Sequence, residues 1–164
     1  DYLFDSVYSK LPKNLQNAAF KKRALEKIAV EVGRIAPDFN WTTNGKEYKL
    51  STINEAPYYV LVFWSTTCPH CLKEIPQLNN FTYGQQHVKV IAFSMENNDK
   101  NWKTYTKGLQ GWHHVLGLKK WENPISRAYQ IYSTPTYIVL DSNKKIMAKP
   151  ETLDELKKII RYLK

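Results

Sequence analysis

The chain has 164 residues, 43% hydrophobic and 24% charged, and 24 Lys plus Arg against 15 Asp plus Glu give a net charge of +9. This length bounds one domain with at most a small appendage, and the apolar share excludes a disordered chain. No apolar run reaches the roughly 18 residues of a membrane span, two cysteines exclude a disulfide scaffold, and nothing repeats at a solenoid period.

The sequence opens at Asp1 without an initiator Met and reads as a mature protein or an excised domain. Its basic groups are dispersed as Lys21-Lys22-Arg23, Lys119-Lys120, Lys144-Lys145 and Lys157-Lys158. None is a run of five or six like charges, so they read as solvated surfaces and not as a nucleic-acid-binding tail.

Residues 9–32 carry apolar positions at Leu15, Ala18, Leu25, Ile28, Ala29 and Val32, a spacing that predicts one helix, capped by Ser9 and stopped by Gly33. Ile35 to Phe39 reads as extended, because Pro37 keeps its predecessor out of the helical region. Asn44-Gly45 is a hairpin signal between short strands near 39–43 and 46–50. Tyr58 to Trp64 is a continuous apolar run, as expected for a strand buried on both faces. Val88 to Phe93 and Thr136 to Leu140 repeat that pattern, and Lys145 to Ala148 adds a short hairpin partner across a turn at Asp141 to Lys144. Helices are expected from about Pro69 through Asn79, over about 99–107, over about 123–130, and from Leu153 to Leu163. Strands alternating with helices predict an α/β fold, a mixed sheet covered by helices.

Trp64-Ser65-Thr66-Thr67-Cys68-Pro69-His70-Cys71 carries the chemistry. A strand ends, a short loop follows, and a helix begins at the Cys-x-x-Cys. Pro69 suits the first helical turn, where its missing N–H costs nothing. Cys68 therefore sits at a helix N-terminus, where free N–H groups and the positive dipole end favour a thiolate, the nucleophile of disulfide exchange. Cys71, one turn later, faces the core and resolves the mixed disulfide. A zinc site would need more ligands. His113-His114 is the one candidate pair, its adjacent residues point apart, and no second Cys-x-x-Cys exists, so neither metal nor cofactor is expected.

Strand, Trp64, Cys68-x-x-Cys71 and helix together resemble the thioredoxin superfamily, over about residues 34–164. Pro76 resembles that fold's helix-kinking proline. Thr134-Pro135-Thr136 resembles its cis-proline segment, which implies a cis Pro135 beside the cysteines and a Thr134 backbone free to pair with a substrate chain. Ala36-Pro37-Asp38-Phe39 and Cys68-Pro-His-Cys-Leu-Lys-Glu-Ile-Pro76 resemble the TlpA/ResA group of extracytoplasmic thiol–disulfide oxidoreductases. The interval from Cys71 to Pro135 has room for that group's extra β–α insertion. Residues 1–33 fall outside the match as an N-terminal helical extension.

The resemblance also places an active-site glutamate at Glu74. Val62 occupies the position of thioredoxin's buried acid, so another base is needed for Cys71, and Glu74 lies nearly one turn beyond it. Pro69-His70 is the dipeptide of DsbA-like oxidants. A His70 imidazolium would favour the Cys68 thiolate and make the protein more oxidising. Trp64 is a candidate shield of the site. The closing hairpin lacks the usual glycine.

The resemblance implies a protein thiol–disulfide oxidoreductase on the outer side of a bacterial inner membrane, tethered by a segment outside this chain. Its partners would be cysteine-containing protein substrates and a protein that resets the dithiol, with no nucleic acid. A peroxiredoxin-type peroxidase would require Pro-x-x-x-Thr-x-x-Cys, where Leu61 and Ser65 stand. A non-catalytic interaction module would have little use for an intact cysteine pair.

Overall fold

The computed structural model describes residues 2–43 and 45–163. In chain order its elements are α1 (Tyr2–Tyr8), α2 (Ala18–Ile28), the hairpin β1 (Asn40–Thr43) and β2 (Lys46–Lys49), β3 (Tyr58–Trp64), α3 (Pro69–Thr82), β4 (Val88–Glu96), α4 (Trp102–Thr106), β5 (His113–Leu118), α5 (Pro124–Ala128), β6 (Thr136–Asp141), β7 (Ile146–Ala148) and α6 (Leu153–Tyr162).

β3 is the axis of a five-stranded sheet of order β5-β4-β3-β6-β7. β3, β4 and β5 run parallel, while β6 and β7 are antiparallel to their neighbours, so the sheet is mixed as expected. The continuous apolar run of β3 has a simple cause. Val60, Val62 and Trp64 point into a core shared with Ile75 and Leu78 of α3 and Leu156 and Ile160 of α6. Tyr59, Leu61 and Phe63 point the other way, onto Phe39, Trp41, Phe93 and Tyr129. With helices or loops on both faces, neither set of side chains meets water.

The single helix expected over 9–32 is broken. α1 ends at Tyr8, a 3-10 turn spans Lys13–Leu15, and α2 begins at Ala18. Pro12 interrupts the first segment. Asn17 then starts α2 afresh, its side chain accepting the Phe20 N–H at 2.8 Å. Ser9 caps no helix; its hydroxyl bonds back to the Ser6 carbonyl.

The chain crosses onto the sheet at Gly33, which adopts φ +92°. Gly33 N–H donates to Ile146, Ile146 N–H to Arg34, and Ala36 N–H to Lys144. Of the predicted Asn44-Gly45 turn, Asn44 lies outside the described residues, while Gly45 takes φ +76° between paired Thr43 and Lys46.

β5 is the strand of the β–α insertion for which the interval from Cys71 to Pro135 has room, although its residues were not located from the sequence. It pairs in parallel with β4. Gly117 lies within it because a Cβ there would stand 2.2 Å from the Phe93 ring. In the β6–β7 hairpin, Lys144 takes the left-handed φ of +64° where a glycine was missed. Its buried ammonium lies 4.3 Å from the Tyr59 ring centre and donates to the Ser142 carbonyl.

Candidate active site

β3 delivers the chain to Ser65-Thr66-Thr67, and a carboxylate absent from the sequence expectations holds that loop. Glu96, at the end of β4, is buried beside it. Its Oε1 accepts the Thr66 N–H at 2.6 Å and the Ser94 hydroxyl at 2.7 Å, and its Oε2 accepts the Thr66 hydroxyl at 3.0 Å. Thr67 N–H turns back onto the Ser65 hydroxyl at 3.2 Å, and Lys120 Nζ donates to the Thr67 hydroxyl at 2.8 Å. The approach to Cys68 is thereby fixed from β4 and from the turn after β5.

Cys68 is the N-cap of α3, in an extended conformation, with Pro69 in the first turn. Its Sγ accepts the Cys71 N–H at 3.2 Å, a bond that suits a thiolate at a helix N-terminus. Partial burial would raise the Cys68 thiol, but hydrogen bonding to Cys71, Thr134 and the Cys71 and His70 backbone holds it below the ordinary thiol value. Cys71 is fully buried. Desolvation, reinforced by Cys68, pushes it up to about 12. The two cysteines, one turn apart, are thus shifted in opposite directions.

The Thr134–Pro135 peptide is cis, and the Thr134 carbonyl accepts from Cys68 Sγ at 3.3 Å. This places Cys68 beside the expected proline segment. Glu74 is half-buried on α3, and its Oε2 accepts the Tyr137 hydroxyl at 2.7 Å. Tyr137 is wholly buried in the core that also holds Cys71. Its phenol is raised by burial first, then by Glu74 and by the nearby Cys71 and Cys68.

The structure therefore gathers Cys68, Cys71, Thr134 and Pro135, with Glu74 linked to the group through Tyr137. Pro69 and His70 are exposed at the start of α3, and no hydrogen bond of the His70 ring is found among the described residues. Trp64 is 1% exposed and lies with Cys71 in the core cluster against which Cys68 packs. Glu96, Tyr137 and Lys120 were missed. Lys120 belongs to the turn after an unrecognised strand, and the other two were read as ordinary strand or loop residues.

A small pocket of about 160 Å³ opens at the nucleophile, lined by Cys68, Ser65, Thr67, Lys120, Trp121 and Thr134. Among the described residues, no helix is long and apolar enough to cross a membrane.

A family model described as AhpC/TSA family matches residues 32–149. The chain belongs to the AhpC/TSA family. Within the family's span lie the cysteine pair, Glu74, Glu96 and the cis-proline. The chain is also similar to the thiol-disulfide oxidoreductase ResA of Geobacillus thermodenitrificans, at 28% identity over 145 residues, covering 85% of this chain and 82% of that protein. It is 26% identical over 117 residues to the sporulation thiol-disulfide oxidoreductase A of Bacillus subtilis, covering 66% and 69%. A solved domain of a possible thiol-disulfide isomerase from Cytophaga hutchinsonii shares 30% identity and a TM-score of 0.68, covering 80% of this chain and 92% of that one. A thioredoxin-like protein from Bacteroides caccae, at 18% identity and a TM-score of 0.74 over 93% of this chain and 57% of that one, has the same fold. The resemblance to the ResA group read from the sequence is the one these comparisons return.

Proposed function

We propose that this AhpC/TSA-family protein is a thiol–disulfide oxidoreductase acting on disulfides of other proteins through Cys68 and Cys71. The observation that carries this reading is the contrast between the two thiols: Cys68 is half-buried at the N-cap of α3 with its Sγ accepting the Cys71 N–H and its value lowered, while Cys71 is buried and its value raised. The relatives' names support the same activity.

The reaction balances as two successive exchanges. The Cys68 thiolate attacks one sulfur of a substrate disulfide, and the other sulfur leaves as a thiolate. Cys71 then loses its proton and attacks Cys68 Sγ, which expels the second substrate sulfur. Two electrons have passed to the substrate, and Cys68–Cys71 is now a disulfide. In this reading Glu74 takes the Cys71 proton, and the hydrogen bond from Tyr137 supports it by fixing the carboxylate. Thr134 offers its backbone to the incoming chain. A redox partner of the same chemistry, run in reverse, restores the dithiol.

The extracytoplasmic, membrane-tethered setting belongs to the same proposal, since a protein dithiol there is reset by a partner and not by a glutathione pool. Insulin-disulfide reduction measured beside peroxide consumption tests the activity. Turnover of insulin that is lost in Cys68→Ser supports it, and peroxide consumption without insulin reduction would overturn it. Fractionation of the native host tests the setting.

A further inference from the structure

The densest basic group of the sequence, Lys21-Lys22-Arg23, has no part in the chemistry above. It lies on α2. Lys21 is committed to Asp5 at 2.7 Å. Lys22 and Arg23, with Lys27 one turn on, instead line a groove of about 950 Å³ between α2 and α5, whose far wall carries Arg127. Two carboxylates, Glu26 and Glu122, also line it, and Glu26 lies 3.9 Å from Lys22. Among the described residues, Arg23, Lys27 and Arg127 have no ion-pair partner. The groove therefore has unneutralised positive charge on both walls.

Its position connects it to the nucleophile. Trp121 lines both this groove and the small pocket at Cys68. Tyr132, also in the groove, stands two residues before Thr134. Trp121 is 47% exposed and Tyr132 75%, so the groove presents two large aromatic faces to solvent, one of which also borders the pocket at Cys68. Aromatic rings and arginines are the side chains that most often anchor a bound chain, and an unpaired guanidinium matches a carboxylate in a two-bond fork.

We infer that the α2–α5 groove docks an acidic segment of the cysteine-bearing partner, next to the cysteine that meets Cys68. The inference rests on the thiol–disulfide reading and adds a substrate class to it. Partners rich in Asp and Glu near their cysteines are drawn in and oriented, and lysine-rich ones are turned away.

The test uses two short peptide disulfides of equal length, one flanked by glutamates and one by lysines, with wild type and Arg23→Glu/Arg127→Glu. Wild type is expected to prefer the acidic peptide, and the double reversal to cut the acidic-to-basic ratio of kcat/KM about tenfold, two exposed charge pairs each contributing modestly. The ratio is read within each protein, so a general loss of activity cancels. The wild-type preference should shrink as salt rises from about 20 to about 200 mM. Arg23→Gln/Arg127→Gln gives an intermediate ratio and guards against misfolding of the reversal. A wild-type ratio near one, or a ratio indifferent to both variants, overturns the inference.

A second measurement separates it from the catalytic reading. The acidic peptide with its cysteines replaced by serine, labelled for fluorescence anisotropy, should bind wild type and not the reversal. If that holds while no peptide disulfide is turned over, the catalytic reading fails and the groove stands. Equal binding of a single-stranded oligonucleotide of the same charge overturns the inference in favour of an unselective anion surface.

Discussion

Tyr137 donates its hydroxyl to Glu74 Oε2 at 2.7 Å, joining β6 to α3 directly beside the buried Cys71. The bond fixes the one carboxylate on α3, the base proposed for a thiol that burial pushes up to about 12. Glu74→Gln keeps an acceptor for Tyr137 but removes the base. Resolution of the mixed disulfide should slow about 100-fold near neutral pH and recover as the solution is made alkaline. Tyr137→Phe leaves the base present but unoriented, so a smaller loss is expected. Stopped-flow release of substrate thiol across pH measures both.

Cys68 and Cys71 should behave asymmetrically. Cys71→Ser should accumulate mixed disulfides with substrate through Cys68, visible by mass spectrometry without reductant, and Cys68→Ser should not. The depressed Cys68 value also has a sign in stability. A thiol lowered on folding stabilises the reduced protein above the unfolded value of about 8.5, and that contribution is lost as pH falls through the folded value. Denaturant melts of reduced wild type and Cys68→Ser should therefore diverge toward about pH 9 and converge in acid.

His70 is exposed at the first turn of α3, where solvent screens its ring. His70→Ser is expected to lower the reduction potential, by no more than about 30 mV, because the thiolate loses a favourable neighbour only when that neighbour is charged. A redox titration against glutathione measures this; no change at all would leave His70 as a surface residue.

Glu96 holds the loop before Cys68 by two bonds from Thr66 and is itself braced within β4 by Ser94. Glu96→Gln replaces an acceptor by a donor facing donors. It should cost about 1–3 kcal/mol of stability and change the rate of Cys68 alkylation, although no atom of Glu96 bonds to sulfur. A melting curve and an iodoacetamide time course report the two effects separately.

Gly117→Ala places a methyl group 2.2 Å from the Phe93 ring. The ring is fully buried and packs against Phe39 and Phe63. A loss of about 1–3 kcal/mol is expected, read as a fall in denaturation midpoint, with Cys68 reactivity retained.

The parts of the fold legible in the sequence were those whose burial is symmetric or whose ends are chemically marked. β3 and β6 are apolar throughout because both faces are covered, and α3 is announced by Pro69 after Cys68. The α2 region misled because Leu15, Ala18 and Leu25 keep a helical spacing across a real break, and only the cap at Asn17 marks the restart. β5 was hidden because its residues alternate between buried and half-buried and include two histidines and a glycine, a pattern without strand propensity. In the site, the cysteines and Pro135 were visible as motifs. Glu96 and Tyr137 were not, since their partners lie 30 and 63 residues away and become neighbours only when the sheet closes.

β7 is three residues long and ends the sheet on one side. The Gly33–Ala36 segment lies along its outer rim and takes up hydrogen-bonding groups that an outermost strand would otherwise present to water. An unprotected rim of this kind is a template on which a second molecule can add its own strand. The stretch through which α2 joins the sheet is therefore also a guard against self-association, and a version of the protein shortened beyond Ile35 would expose a sticky margin while leaving Cys68 and Cys71 on α3 in place.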